Sequence, residues 1–296
     1  MPDPTGGWLV VKHPQYVEET TYGVAPTNPA WLWTGVVEAF DPQPDMATIL
    51  ARQLASEDIR YQMKGPETHT LLIEYIPQNV TLAKYGVNAA GGGVGTIDKS
   101  LYILTSVKVG GQAGTETYVE HAGCRFNNIV LTGRVGEFIR IRGEIWPKDI
   151  PIPDATPPAL GTGSYATDPG TNPWKWDDGG ANPVSFGARN PDVREISASV
   201  SRNLDRLLVM GQVDPKYTLP KQRDITGTLR ILWEDQNLWT DMDGQTVSSL
   251  TWVLKTAAGT LTLANTVLRR IESVRMTQTE FIMEQYAYVS RSASLA

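Results

Sequence analysis

The sequence predicts an all-β protein with minor helix, arranged as two tandem β-sandwich or barrel modules that each carry one short helix. Three observations lead there. Short runs rich in β-branched and aromatic residues are bounded by turn formers. The 27 glycines and 20 prolines are scattered along 296 residues, which suits many turns and short elements rather than long helices. A set of short blocks also recurs in the same order in both halves.

In chain order, strands are expected at 69–76 (His-Thr-Leu-Leu-Ile-Glu-Tyr-Ile), 101–109, 126–132 and 137–146, the last with strict apolar/polar alternation over several residues. The second half repeats the pattern at 193–200, 225–233 and 250–254. Helical spacing is weaker: 78–87 and 235–243 each hold about two turns, with Gly86 and Gly244 as C-terminal stops.

The internal repeat aligns 70–80 with 228–238, so that Leu71, Ile73, Tyr75, Gln78 and Asn79 meet Leu229, Ile231, Trp233, Gln236 and Asn237. Further on, Ser100-Leu101 meets Ser249-Leu250, and Glu137-Phe138-Ile139 meets Glu280-Phe281-Ile282. The offset shrinks steadily, as longer loops in the Gly-rich 86–98 and 110–117 stretches of the first copy require. This divides the chain into a first module over 1–150, a connector over 151–190 and a second module over 191–296. The connector is rich in Pro, Gly and Asp, and its Trp174 and Trp176 are the residues expected to pack it down on a surface.

Composition excludes several functions. A net charge of -6 supplies no clustered basic footprint for coating nucleic acid. The single cysteine, Cys124, forms no intramolecular disulfide, and the opening residues lack the basic and apolar regions of a signal peptide, so folding in a reducing cytoplasm is expected. No apolar run reaches the roughly 18 residues that span a bilayer, so no membrane partner is expected. Gly93 to Ser100 resembles a phosphate loop, but Asp98 stands where a glycine is required and would repel phosphate. His121-x-x-Cys124 is the nearest approach to a metal-ligand pair and lacks a second cluster. Asp177-Asp178 and Asp241 with Asp243 read as solvated loop ends, Asn79-Val-Thr81 is only a formal glycosylation acceptor, and no Gly-x-Ser-x-Gly elbow occurs. No catalytic residue, metal or cofactor is assigned.

Three segments carry a resemblance: Glu18-Glu19-Thr-Thr-Tyr-Gly23-Val-Ala-Pro-Thr, the run from Cys124 to Phe138, and the tract opening Val193-Arg-Glu-Ile-Ser-Ala-Ser-Val-Ser-Arg-Asn-Leu. They resemble the tail tube (major tail) proteins of long-tailed phages and related archaeal viruses. The resemblance implies β-modules whose inner strands join those of neighbours in a ring around a channel. It also implies stacking of rings into a tube for genome passage, with DNA passing without specific binding. In most such proteins six single-domain subunits form the ring, so a duplicated chain implies a homotrimeric pseudo-hexamer. Implied partners are copies of the chain and other tail proteins such as terminator and tape measure. The implied location is the virion tail, assembled in the host cytoplasm.

Ring closure would also remove the exposed strand edges of each module. Stacking needs a second, axial contact, for which the candidates are Met46, Ile49, Leu50 and Leu54 in the first copy and Leu204, Leu207, Leu208 and Met210 in the second, where hairpin arms would project. Ordinary core is the alternative for the same residues. Two other functions stay open: a terminator, distal-tail or baseplate ring protein of the same fold, and a glycan-binding β-sandwich using Trp174, Trp176, Asp177 and Asp178.

Overall fold

Alternation of buried and half-buried side chains along Val193–Ser201, Ser248–Lys255 and Met283–Leu295 is the period of a strand with one face on a core. A computed structural model of the chain describes residues 9–52, 59–88, 99–108, 116–149, 154–158, 163–210, 212, 214–232, 237–275 and 283–296. In chain order the strands are β1 (Leu9–Glu18), β2 (Leu32–Trp33), β3 (Val36–Arg52), β4 (Ile59–Ile76), β5 (Leu101–Lys108), β6 (Glu116–Arg134), β7 (Arg140–Trp146), β8 (Val184–Phe186), β9 (Val193–Ser201), β10 (Asp205–Leu207), β11 (Tyr217–Leu219), β12 (Asp224–Leu232), β13 (Ser248–Lys255), β14 (Gly259–Arg275) and β15 (Met283–Leu295). Helix α1 (Thr81–Val87) follows β4 and helix α2 (Asn237–Asp243) follows β12. Among the described residues the protein is all-β with two short α-helices, as the sequence predicts. No helix among the described residues is long and apolar enough to cross a membrane.

Pairing follows one rule in both halves. Neighbours run β3-β4-β7-β6-β5-β1 in the first and β9-β12-β15-β14-β13-β8 in the second, all antiparallel. The long strand β6 pairs β5 through Cys124, then β7 from Arg125 onward. Its last residues, Asn128 to Arg134, also pair β9 in the register Asn128↔Ser201 through Arg134↔Glu195, so one sheet runs from the first half into the second.

Beneath the sheets lies a core shared by both halves, including Phe126, Ile129 and Ile141 of the first and Ile196, Leu229, Trp252 and Tyr286 of the second. Helix α1 turns Leu82, Ala83 and Val87 into it. Its N-terminus is closed by Asn79, whose Oδ1 accepts from the Thr81 amide at 2.9 Å. Its C-terminal carbonyls accept from the second half, Tyr85 from Arg202 and Val87 from Arg223 at 2.7 Å. Asn88 exchanges two hydrogen bonds with the backbone of Leu295.

Several expectations change. Gly86 does not stop α1; it lies within the helix, where an added Cβ would come within 3.0 Å of Ile129. The strand expected at 137–146 begins only at Arg140, because Ile139 and Glu137 bond the connector, Ile139 donating to the Trp174 carbonyl at 3.0 Å and Glu137 accepting from the Trp176 amide at 3.1 Å. The long strand β3 is not among the expected strands, and it carries Pro42 and Pro44. Both sit on an edge strand, where a missing N–H costs no ladder bond if it points outward.

Cys124 is fully buried and its Sγ contacts the His121 carbonyl at 3.4 Å, so Cys124 and His121 do not form a ligand pair. Burial pushes the thiol well above its ordinary pKa. The native protein is therefore expected to react with a thiol reagent at mildly alkaline pH only at its rate of unfolding. Rapid stoichiometric labelling of the folded chain would contradict this.

Candidate assembly interface

The join between the halves is sealed on both sides of the sheet. Ser199 Oγ donates to Asn128 Oδ1 at 3.1 Å, and Asn127 accepts from the Arg202 amide on its carbonyl at 2.7 Å and from the Leu204 amide on Oδ1 at 3.0 Å. On the core side Gly133 of β6 is so close to Trp252 of β13 that a Cβ there would stand 2.4 Å from the indole. Trp176 fills the same corner, its ring 6.3 Å from that of Trp252. Only a residue without a side chain lets these two rings seat against β6.

Strands β6 and β9 have counterparts in the pairing order, namely β14 and β3. β14 pairs β13 as far as Thr266 and then continues to Arg275 with β15 on one side only; β3 pairs β4 and no other strand. Among the described residues, these two backbone edges are the ones left open where the other two meet.

Two β-hairpins cover the candidate segments. The first is the extension of β3 and β4, paired out to Arg52↔Ile59, and the second is β10 with β11. The backbone of Met46, Ile49 and Leu50 runs in β3; their side chains, and all of Leu54, lie outside the described residues. In the second arm Leu207 and Leu208 are exposed, and Met210 is fully so at 104%. Leu204, at 7% exposure, is buried in the chain, the core alternative for that residue, and its amide donates to Asn127 Oδ1 at 3.0 Å at the base of the arm. Exposed Tyr217 and Leu219 on β11 extend the apolar surface, and the sequence carries them in the alternation Tyr-Thr-Leu.

Trp174 and Trp176 are both buried. Trp174 donates its amide to the Pro77 carbonyl at 2.9 Å, and Gly259 lies against its ring, where a Cβ would be 2.7 Å away. The connector is not structureless, since among its described residues it holds the 3-10 turn Trp176–Gly179 and strand β8, which pairs β13. Asp178 accepts from the Lys175 amide at 3.1 Å, and Asp241 is paired with Arg189. Of the loop resembling a phosphate site, residues 93–98 lie outside the described residues; Lys99 is paired with Glu18, and Ser100 donates to the buried Glu19. Glu19 also accepts from the Gly123 and Gly23 amides, yet burial still raises its pKa.

On the sheet face opposite the core, charges alternate in sign. Arg140 meets Glu38 at 2.9 Å and Glu137 at 3.7 Å, Arg230 meets Glu195 at 3.7 Å, and Arg142 stands opposite Glu74 in the β4·β7 register. Ser197 and Thr228 bridge by their hydroxyls at 2.9 Å.

Open sheet edges and an exposed apolar arm are surfaces fit to meet other chains. The phage tail tube protein family model matches residues 80–290, more than half of the chain, and the chain belongs to that family. It is a structural component of a viral tail, in a family that self-assembles and works with other tail proteins. Among curated proteins no relative matches the chain.

Proposed function

We propose that this chain is a tail tube subunit of two tandem modules, three copies of which close into a ring of six modules that stacks around a channel for genome passage. The observation that carries the reading is the β6·β9 join together with the two open edges in equivalent positions. If β14 of one copy pairs β3 of the next, the intrachain join is repeated between chains, and a head-to-tail contact whose rotation closes gives a ring with no free edge.

The register carries over through matching pairs. With Leu229 matching Leu71, Ile231↔Glu284 corresponds to Ile73↔Gly143, so Val274↔Glu284 corresponds to Ile129↔Gly143, and Leu229↔Ile196 to Leu71↔Pro42. Through Ile129↔Val200 they set Val274 opposite Met46 and Arg275 opposite Asp45 of the neighbour. Pro42 and Pro44 lack donors but keep their carbonyls, which guards the edge against indiscriminate pairing while leaving acceptors for the correct partner.

The polar face with paired arginines supports assigning the channel side, since unpaired cations would hold DNA by salt-dependent contacts. Partners in the same reading are the terminator and tape measure proteins, and assembly takes place in the host cytoplasm. A terminator, distal-tail or baseplate ring protein would form one ring and stop. The glycan-binding reading loses its aromatic platform, because Trp174 and Trp176 face the core.

The exposed second arm separates tube from single ring. The double variant Leu208→Glu with Met210→Glu is expected to fold with stability within about 0.5 kcal/mol of the parent, as for surface substitutions, and to form rings that do not stack. Electron microscopy at high concentration checks this: tubes of normal length from the variant would remove the arm from the axial contact, and an absence of rings from the parent protein would overturn the tube reading.

A further inference from the structure

Glu67 and His69 stand two residues apart on β4 and so share a face of the strand. Asp214, from the connection between β10 and β11, reaches the same place. One ligand atom from each of the three lies within 4.8 Å of the other two. His69 Nε2 is 3.5 Å from Glu67 Oε2, too long for a good hydrogen bond. It is close to the roughly 3.4 Å that separates two donors each about 2.1 Å from a tetrahedral ion.

The imidazoles here are unusual in another way. His69 is 3% exposed and neither of its nitrogens completes a hydrogen bond; the same holds for His121, 1% exposed on β6. Buried polar atoms without partners are rare, and each calls for a reason. The two rings are near enough for the charge of one to oppose the charging of the other, and burial depresses both, His121 to about 4, which keeps the lone pairs available to a metal.

The surrounding charge is mixed. The Arg206 guanidinium donates to the His69 carbonyl and stacks over Trp146 at 4.2 Å, placing one cation beside the cluster. Against it stand Glu67, Asp214 and the nearby Asp149, whose pKa is raised by burial and then by Asp214. Three carboxylates around one guanidinium leave room for a further cation.

We propose that Glu67, His69 and Asp214 bind a first-row divalent transition-metal ion, with Zn²⁺ as the probe and His121 of β6 as a further nitrogen donor. The ion ties the base of the first hairpin arm to the connection within the second. The nitrogen donor selects against Ca²⁺ and Mg²⁺, which favour all-oxygen sites.

The test uses full-length, tag-free protein stripped with a chelator and titrated with Zn²⁺ by calorimetry against a competing chelator, with the melting temperature followed in parallel. One Zn²⁺ per chain is expected, with a rise in melting temperature that excess Ca²⁺ or Mg²⁺ does not reproduce. His69→Ala and Asp214→Asn should each weaken binding by about tenfold or more, the scale seen even for second-shell changes, and should lose the thermal shift. Asp214 is only half-buried in a connection, so Asp214→Asn still decides the matter if His69→Ala does not fold. Absence of saturable Zn²⁺ binding, or binding undiminished in Asp214→Asn, overturns the proposal. Neither result depends on ring formation.

Discussion

A variant carrying Asp45→Cys together with Arg275→Cys should resolve on a non-reducing gel, after oxidation under assembling conditions, into monomer, dimer and trimer, with nothing larger. The two positions face each other across the proposed β14-to-β3 contact, where Cα atoms of an antiparallel pair stand about 4.5–5.5 Å apart, within the span of a disulfide. The native Cys124 is buried and stays out of the reaction. Each single variant should give no ladder. A ladder running past trimer would mean an open head-to-tail filament, and its complete absence from assembled protein would remove the β14-to-β3 pairing. The largest covalent species thus reads the stoichiometry directly.

Trp174→Ala is expected to destabilise the chain by about 3–5 kcal/mol, the range for removing a buried tryptophan. The side chain is 2% exposed and lies against Gly259 of β14, which also touches Val80 at the mouth of α1. Its backbone meanwhile bonds Pro77 and Ile139 of the first half. Truncation therefore opens a cavity among the connector and both halves at once. Glycine at 259 leaves a shallow wall that cannot move in to fill it. Equilibrium urea unfolding of variant and parent measures the loss; a difference under about 1 kcal/mol would show that Trp174 is dispensable to the packing. Trp174→Phe should retain most of the stability, since it keeps an aromatic ring against the same glycine.

The strands that alternate cleanly over a short run, such as 193–200 and 250–254, were legible because one face of each meets the core and the other does not. The long arms were not. In β3 the prolines mask the pattern, and what permits them, the lack of a partner on one edge, is a property of the sheet rather than of the segment. Gly86 and Gly133 show the same limit. A glycine in sequence reads as a turn or stop, yet at these positions it is required by Ile129 and by Trp252, far away in the chain.

The candidate surface divides in the same way. Leu207, Leu208 and Met210 could be picked out as apolar residues between strands, but only the fold separates them from Leu204, which the Asn127 side chain holds inside. The open edges of β3 and β14 have no residue signature, because backbone donors and acceptors are the same at every position. The grouping of Glu67 and His69 with Asp214 escaped the reading of motifs, since its third member comes from the other half of the chain.

The sequence by itself determined an all-β chain, the positions of both helices and the recurrence of short blocks in one order, because these rest on local periodicity and composition. The tertiary structure alone decided which strands pair, where one half joins the other and which edges are left over, because hydrogen bonds between strands unite residues that no local pattern connects.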